Sequence, residues 1–423
     1  MSQSSHLPHF RTWLASLDEE ELATILRNRP DVLNPLPPSI AALATRLLLR
    51  TSIARALMNC TARQLAEIED IARRGGELEE VEDLNPDITR QLKERGLAYG
   101  NVLIPPEVMP ALPTGWSLLD QVQVSPEDIA ELPAEERKVL ETLSRSNGLG
   151  TTRDAAIDAD PARPIPRLIA KQLLQRVDAT TVRLPRAVHL ALNGKPTAPI
   201  PVEGITESPA PDPKADDAGT AAGLSAVRGM QRVIDALGAR PIELLKDKTV
   251  GVRQLTNLSK TLTIDEGELR RLIELGMSAR LFSRGEPKNL EGNFLAPTEL
   301  AQAWLDAGLA EKWQVLLEAW TASPWTKEGR TLAHTNDRLP SFRDKVLQVY
   351  LRGAKPTFEE SLRFHFPLFA THTSDETIAE LRAEAEWIGA IALERPTSVL
   401  IDAPDAAARL TPCLLYTSDA ADE

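Results

Sequence analysis

Apolar residues recur at helical spacing along most of this chain, and in several places a helical run gives way to a short alternating stretch. Between Pro166 and Leu174, the residues Leu168, Ile169, Leu173 and Leu174 share one helical face. The period then changes. Val177, Val182 and Leu184 alternate around Asp178 to Thr181, which predicts a small β-hairpin that Pro185 ends. A helix that runs into a two-stranded hairpin is how a winged helix finishes: the helix can enter a DNA major groove and the hairpin flanks it as the wing.

The pattern repeats. Gln91 to Leu112 reads QLKERGLAYGNVLIPPEVMPAL, and Gln172 to Leu192 reads QLLQRVDATTVRLPRAVHLAL. With one gap, Gln91, Leu92 and Arg95 match Gln172, Leu173 and Arg176. Val102, Ile104, Pro105, Val108, Ala111 and Leu112 then match Val182, Leu184, Pro185, Val188, Ala191 and Leu192. The offset of roughly 80 residues suits one winged-helix unit. A looser copy runs from Glu268 to Leu305, and a further one is suggested from Trp387 to Leu410. The predicted class is mainly α with small β-hairpin wings, arranged as tandem winged-helix (helix-turn-helix) modules.

Taken in order, residues 1–38 form an N-terminal helical segment, 39–115 a degenerate first module and 125–195 a second. Residues 196–223 read as a flexible linker rich in Pro, Ala, Asp and Gly, 224–325 as a third module, and 326–412 as a helical region with a partial fourth. His9 to Arg29 predicts a helix pair with a cap at Asp18 and Glu21, packed on the first module rather than free for a partner. Ile40 to Leu57, Ala62 to Arg73 and a third helix from Pro86 build that module. Trp304, Trp313, Trp320 and Trp325 recur near helical spacing and read as core rather than a base-stacking platform. Phe342 to Phe369 mixes basic and aromatic residues and reads as a helical connecting layer.

Composition narrows the class. With 423 residues, of which 42% are hydrophobic, the chain can bury more than one core. It lacks both a long apolar run and a signal-peptide pattern, so a cytoplasmic setting without membrane contact is expected, with nucleoid association as an open alternative within it. Cys60 and Cys413 fit no disulfide framework and no zinc spacing. The stretch CLLYTSDAADE, residues 413–423, breaks the Ala/Arg/Leu texture and reads as a translated transposase-type sequencing adapter, so the natural chain is expected to continue. The formal charge is −13, and leaving out the three carboxylates Asp419, Asp422 and Glu423 of that stretch leaves −10.

Within this acidic chain one segment is basic. From Arg145 to Lys195 there are nine Arg and Lys residues against four Asp. Phosphate contacts supply most nonspecific affinity for DNA, so a local patch matters more than the overall sign. The candidate contacts are Arg163, Arg167 and Lys171 on the helix, with Arg176, Arg183 and Arg186 on the wing side. In the third module, Arg253, Lys260, Arg270 and Arg271 are further candidates. There Asp265, Glu266 and Glu268 at the start of the third helix oppose a phosphate. The first module carries mixed charge and no base on its wing, which favours a structural or protein-contact role.

Catalytic signatures are missing. No G-x-x-x-x-G-K-[ST] loop is present to cradle phosphates: Lys195 is followed by Pro196, and Lys260-Thr261 lacks the glycines. LTIDE, Leu262 to Glu266, reads as a helix cap rather than a metal-binding pair. His189, His334, His365 and His372 have no ligand spacing, and no Ser or Cys sits in a nucleophile motif. The expectation is a protein that is not an enzyme and needs neither metal nor cofactor.

The opening WLASLDEEELATILRNRPDVLNPLPPSIAALATRLLLRTSIARAL, with GTTRDA, LLQRVDATTVRLPRAV and ALGARPIELL…GVRQLTNLSKTL, resembles actinobacterial helicase-associated-domain proteins. The later region of such proteins is similar to the N-terminal part of XPB-type helicases. The resemblance implies a nucleic-acid context, with duplex DNA and a helicase or another protein as partners. The alternative reading is a protein-interaction scaffold of winged helices without DNA binding.

Overall fold

Capping residues, prolines and close-packed glycines set where the helices of this chain begin and end, and the helices fix where its small sheets close. The structure, a computed structural model, describes residues 6–113, 124–146, 148–194, 210–286, 291–353 and 357–401. It is mainly helical, 59% helix against 7% strand, with small antiparallel sheets. Two compact units form, residues 1–204 with 362–372, and residues 205–361 with 373–423.

The first unit opens with α1 (His6–Ser16) and α2 (Glu19–Asn28). The cap predicted between them is present: Glu21 N donates to Asp18 Oδ1 at 2.8 Å, and Asp18 N donates to Glu21 Oε2 at 3.0 Å. Phe10, Leu14 and Ile25 bury against Leu43, Leu47 and Tyr99, so the pair is part of the core. The single helix expected over Ile40 to Leu57 is instead two, α3 (Ile40–Leu47) and α4 (Arg50–Leu57). The chain is extended at Leu49, ψ 132°, and the Leu47 carbonyl left without a helical donor accepts instead from the fully buried Arg29 guanidinium at 3.0 Å.

Helices α5 (Ala62–Arg73), α6 (Pro86–Lys93) and α7 (Val108–Ala111) follow. Val81 N donates to Val102 O at 3.2 Å and Ile104 N to Gly76 O at 2.9 Å, while Tyr99 bridges Leu103. These bonds lay residues 76–81, 99 and 102–104 side by side with the third segment in the middle. Leu65, Leu92, Ile104 and Val108 form the core, joined by Phe364 and Leu368 from 362–372.

The next segment runs α8 (Pro126–Ala130), α9 (Ala134–Arg145), β1 (Leu149–Thr151), a 3-10 turn at Arg153–Ala155, α10 (Pro164–Ala170), β2 (Gln175–Arg176), β3 (Thr181–Arg183) and α11 (Arg186–Leu192). Strand β3 lies between β1 and β2, antiparallel to both, with Val182 opposite Gly150 on one side and Arg176 on the other. The hairpin was legible in the alternation; β1 was not. Helix α10 stops at Ala170 rather than continuing to Leu174. Gln172 adopts φ +60°, and the amides of Leu173 and Leu174 both turn back to the Leu168 carbonyl.

The second unit repeats that connectivity in α12 (Pro213–Ala239), β4 (Ile242–Glu243), α13 (Val252–Leu262), α14 (Glu266–Ser278), β5 (Phe282–Gly285) and β6 (Phe294–Pro297). Its strand order, β4-β6-β5, is again first, third, second. There follow α15 (Glu299–Asp306), α16 (Leu309–Ala322), α17 (Leu339–Leu351), α18 (Phe358–His365), α19 (Pro367–His372), α20 (Asp375–Trp387), the hairpin β7 (Ile391–Ala392) and β8 (Arg395–Pro396), and α21 (Ser398–Ile401). Of α18 and α19, residues 362–372 belong to the first unit. Trp304, Trp313 and Trp320 are buried as a core stripe requires, whereas Trp325 is half-buried with the Arg284 guanidinium 5.0 Å from its ring centroid; Arg343 and Lys345 are buried as well.

One boundary needs correction. The linker expected over 196–223 is helical from Pro213 onward, as the first turns of the 27-residue α12. Gly219 and Gly223 signal a linker in sequence, yet they permit close packing. A Cβ on Gly223 would lie 2.2 Å from Trp313 Cε2, and one on Gly219 would lie 2.5 Å from Thr397 Cγ2. Asp216 fixes the same end, accepting from Ser398 N and Ser398 Oγ, both at 2.6 Å. Lys195 and residues 196–209 of that linker lie outside the described residues, as do 402–412 of the fourth repeat and the adapter-like 413–423.

Candidate nucleic-acid interface

The second repeat places its candidate cations around α10 and the β2–β3 hairpin, and each has a structural partner. Arg163, which precedes α10, pairs with Asp154 beside the 3-10 turn. Arg167 on α10 and Lys171 at its C-cap stand one turn apart and converge on the two oxygens of Glu136. Arg167 Nε is 2.8 Å from Oε1 and Lys171 Nζ is 2.7 Å from Oε2. The Arg167 contact is one of charge rather than an aligned hydrogen bond, whereas Lys171 donates directly.

Glu136 is 1% exposed, while Arg167 and Lys171 are 39% and 45% exposed. A buried carboxylate is tolerable only with its charge compensated. The two cations therefore hold α10 to α9 and still show their outer edges to solvent. Glu136 escaped the sequence reading because it lies outside the basic segment. Its signal was present, since it falls on the same helical face as the apolar Leu140 and Leu143.

On the hairpin, Arg176 reaches back to the carbonyls of Ala155 and, at 3.4 Å, Ala156. Arg183 donates to Gln175 Oε1 across the strand pair. Arg186 starts α11 and is largely buried. Desolvation lowers its pKa; Glu69 opposes that and Arg363 adds to it. Five of these six side chains thus surround α10 and the hairpin, and Arg186 turns toward the first repeat.

The third repeat arranges its candidates differently. Arg253 and Lys260 are exposed, two turns apart on α13, with no ion pair among the described residues. Arg270 is spent internally: it pairs with Glu274 at 3.0 Å and donates to the carbonyls of Thr326, Glu328 and Gly329 at 2.9 to 3.1 Å. Arg271 lies 5.6 Å from the Trp387 ring centroid. Helix α14 buries Leu269, Leu272, Ile273, Glu274 and Leu275, and the 326–330 loop lies over its Arg270 side. Asp265 caps its start, accepting from Gly267 N at 2.9 Å, as the LTIDE reading expects. In the first repeat, Arg90 pairs with Asp87 and Glu94, in keeping with a module poorly suited to phosphate.

Among the described residues no group of three His, Cys, Asp or Glu side chains is placed to hold a metal ion, and no helix is long and apolar enough to cross a membrane. No family model, curated protein or solved structure matches this chain.

Proposed function

We propose that this chain is a non-catalytic, duplex-DNA-binding protein built from tandem winged-helix modules, with the second module making the DNA contact. Two segments share the order helix, strand, helix, strand, strand with the third strand central, the helix before β2 being preceded by a 3-10 turn and the one before β5 by a full helix, and this order supports a winged-helix reading. The observation that carries the DNA reading is the charge on α10 and the hairpin. Arg163, Arg167, Lys171, Arg176 and Arg183 are set against three carboxylates, Asp154, Glu136 and Asp178 of the hairpin turn, which leaves two positive charges where a third helix and wing would meet a duplex. Arg163, Arg167 and Lys171 would take phosphates, and Arg176 and Arg183 would follow the backbone beside the wing.

The third module supports a different role. The Arg270 side of its α14 is covered by the 326–330 loop and its Arg270 and Arg271 are engaged within the fold, so it is read as a protein-contact module; the charge of −10 outside the adapter-like stretch fits a scaffold that does not coat itself in DNA. A helicase is the partner that the family resemblance implies for it. Hydrogen exchange of the full chain with and without random-sequence duplex tests the division. Protection at 163–183 with none at 266–278 is expected; protection at α14 alone would overturn the assignment.

A further inference from the structure

A cleft of about 730 Å³ runs along α12 in the second unit, closed on its far side by the α13–α14 turn. From α12 it is lined by Asp217, Thr220, Leu224, Arg228 and Arg232, and from α14 by Glu268. Arg228 and Arg232 are one turn apart and exposed, and neither makes an ion pair or hydrogen bond among the described residues. The carboxylates of Asp217 and Glu268 are likewise unpaired there. Cations and anions therefore share one cleft without neutralising each other.

Thr220 supplies an independent observation. It is 7% exposed, and its Oγ1 is buried with no hydrogen-bond partner. A buried hydroxyl left unsatisfied costs stability, and Thr220 lines the cleft, so a donor or acceptor entering the cleft would relieve that cost.

The charges select the occupant. A polyanion such as a nucleic-acid backbone would meet Asp217 and Glu268, and a polycation would meet the arginine pair. A ligand with both signs fits. Asp217 and Arg228 are eleven residues apart on one helix, about 16 Å along its axis, which an extended peptide spans in about five residues. We propose that this cleft binds a short extended peptide segment with an acidic group at the Arg228/Arg232 end and a basic group near Asp217, its main chain hydrogen-bonded to Thr220 Oγ1.

Calorimetric titration of the full chain with end-blocked pentapeptides tests this. The probes are Lys-Ala-Ala-Ala-Asp, the same peptide with glutamine at both ends, and adenosine monophosphate. The expected result is saturable binding of the first, weakened about tenfold or more by the glutamine ends and by Arg228→Gln/Arg232→Gln. Thr220→Val should weaken it about fivefold without lowering the thermal midpoint, because the variant removes an unsatisfied hydroxyl. No saturable binding, equal affinity for both peptides, or tighter binding of the nucleotide through the same arginines would overturn the proposal.

Discussion

Lys171 Nζ lies 2.7 Å from Glu136 Oε2, so a lysine at the C-cap of α10 is also the counter-ion of a carboxylate that is 1% exposed. Removing the two sides of this contact should have unequal effects. Arg167→Ala/Lys171→Ala strands a buried charge and should cost about 3–5 kcal/mol. Glu136→Gln leaves both cations able to reach water and should cost about 1 kcal/mol or less. Native-state hydrogen exchange of α9 amides in urea measures both. A negligible cost for Arg167→Ala/Lys171→Ala would mean that the cations contribute nothing to holding the helix pair.

Glycine in α12 should behave against helix propensity at one site and with it at another. Gly223→Ala puts a methyl 2.2 Å from Trp313 and should destabilise the second unit by about 1–3 kcal/mol. The nearest atom to a Cβ on Gly238 is 4.0 Å away, so Gly238→Ala should stabilise by about 0.5–1 kcal/mol. Thermal unfolding of the two variants should therefore shift in opposite directions.

Burial raises the Glu274 carboxyl above its ordinary 4.5, with Arg270 opposing. The folded protein thus holds this proton to higher pH than the unfolded chain does. The contribution is fully present below about pH 4.5 and is lost as pH rises through the raised folded value. The stability advantage of wild type over Glu274→Gln should shrink as pH rises from about 4 toward 7. An advantage that grows instead would mean that Arg270 outweighs desolvation.

The Cys60 thiol is pushed up to about 11 by complete burial, against the pull of Arg95 and Arg29. Thiolate is the reactive form, so Cys60 should resist labelling in the folded protein. In a Cys413→Ser background, a disulfide reagent should react only as fast as the structure opens, and much faster in urea. Immediate stoichiometric reaction at neutral pH would place Cys60 at the surface.

Much of the fold was legible because the repeat encodes a core. The matched pairs Leu92 and Leu173, Val102 and Val182, Ile104 and Leu184, and Val108 and Val188 are all buried. Strand β1 is three residues long and opens with an exposed Leu149, too brief for a period to register. The first turns of α12 hid behind Gly219 and Gly223, whose role depends on Trp313 and Thr397 far along the chain. In the candidate site the residue types were readable and their partners were not. Glu136, which ties Arg167 and Lys171 to α9, is brought to them only by the fold.

The most direct test of the DNA reading is fluorescence anisotropy of the full chain with random-sequence duplex over a salt series. It compares wild type with Arg163→Gln/Lys171→Gln/Arg176→Gln, a variant that keeps Arg167 on Glu136. The predicted result is affinity that falls linearly on logarithmic axes, with a slope reduced in the variant by about 2–3, since each lost phosphate contact removes about 0.9. No binding at low salt, or an unchanged slope, would contradict the assignment of the second module as the DNA-contacting one.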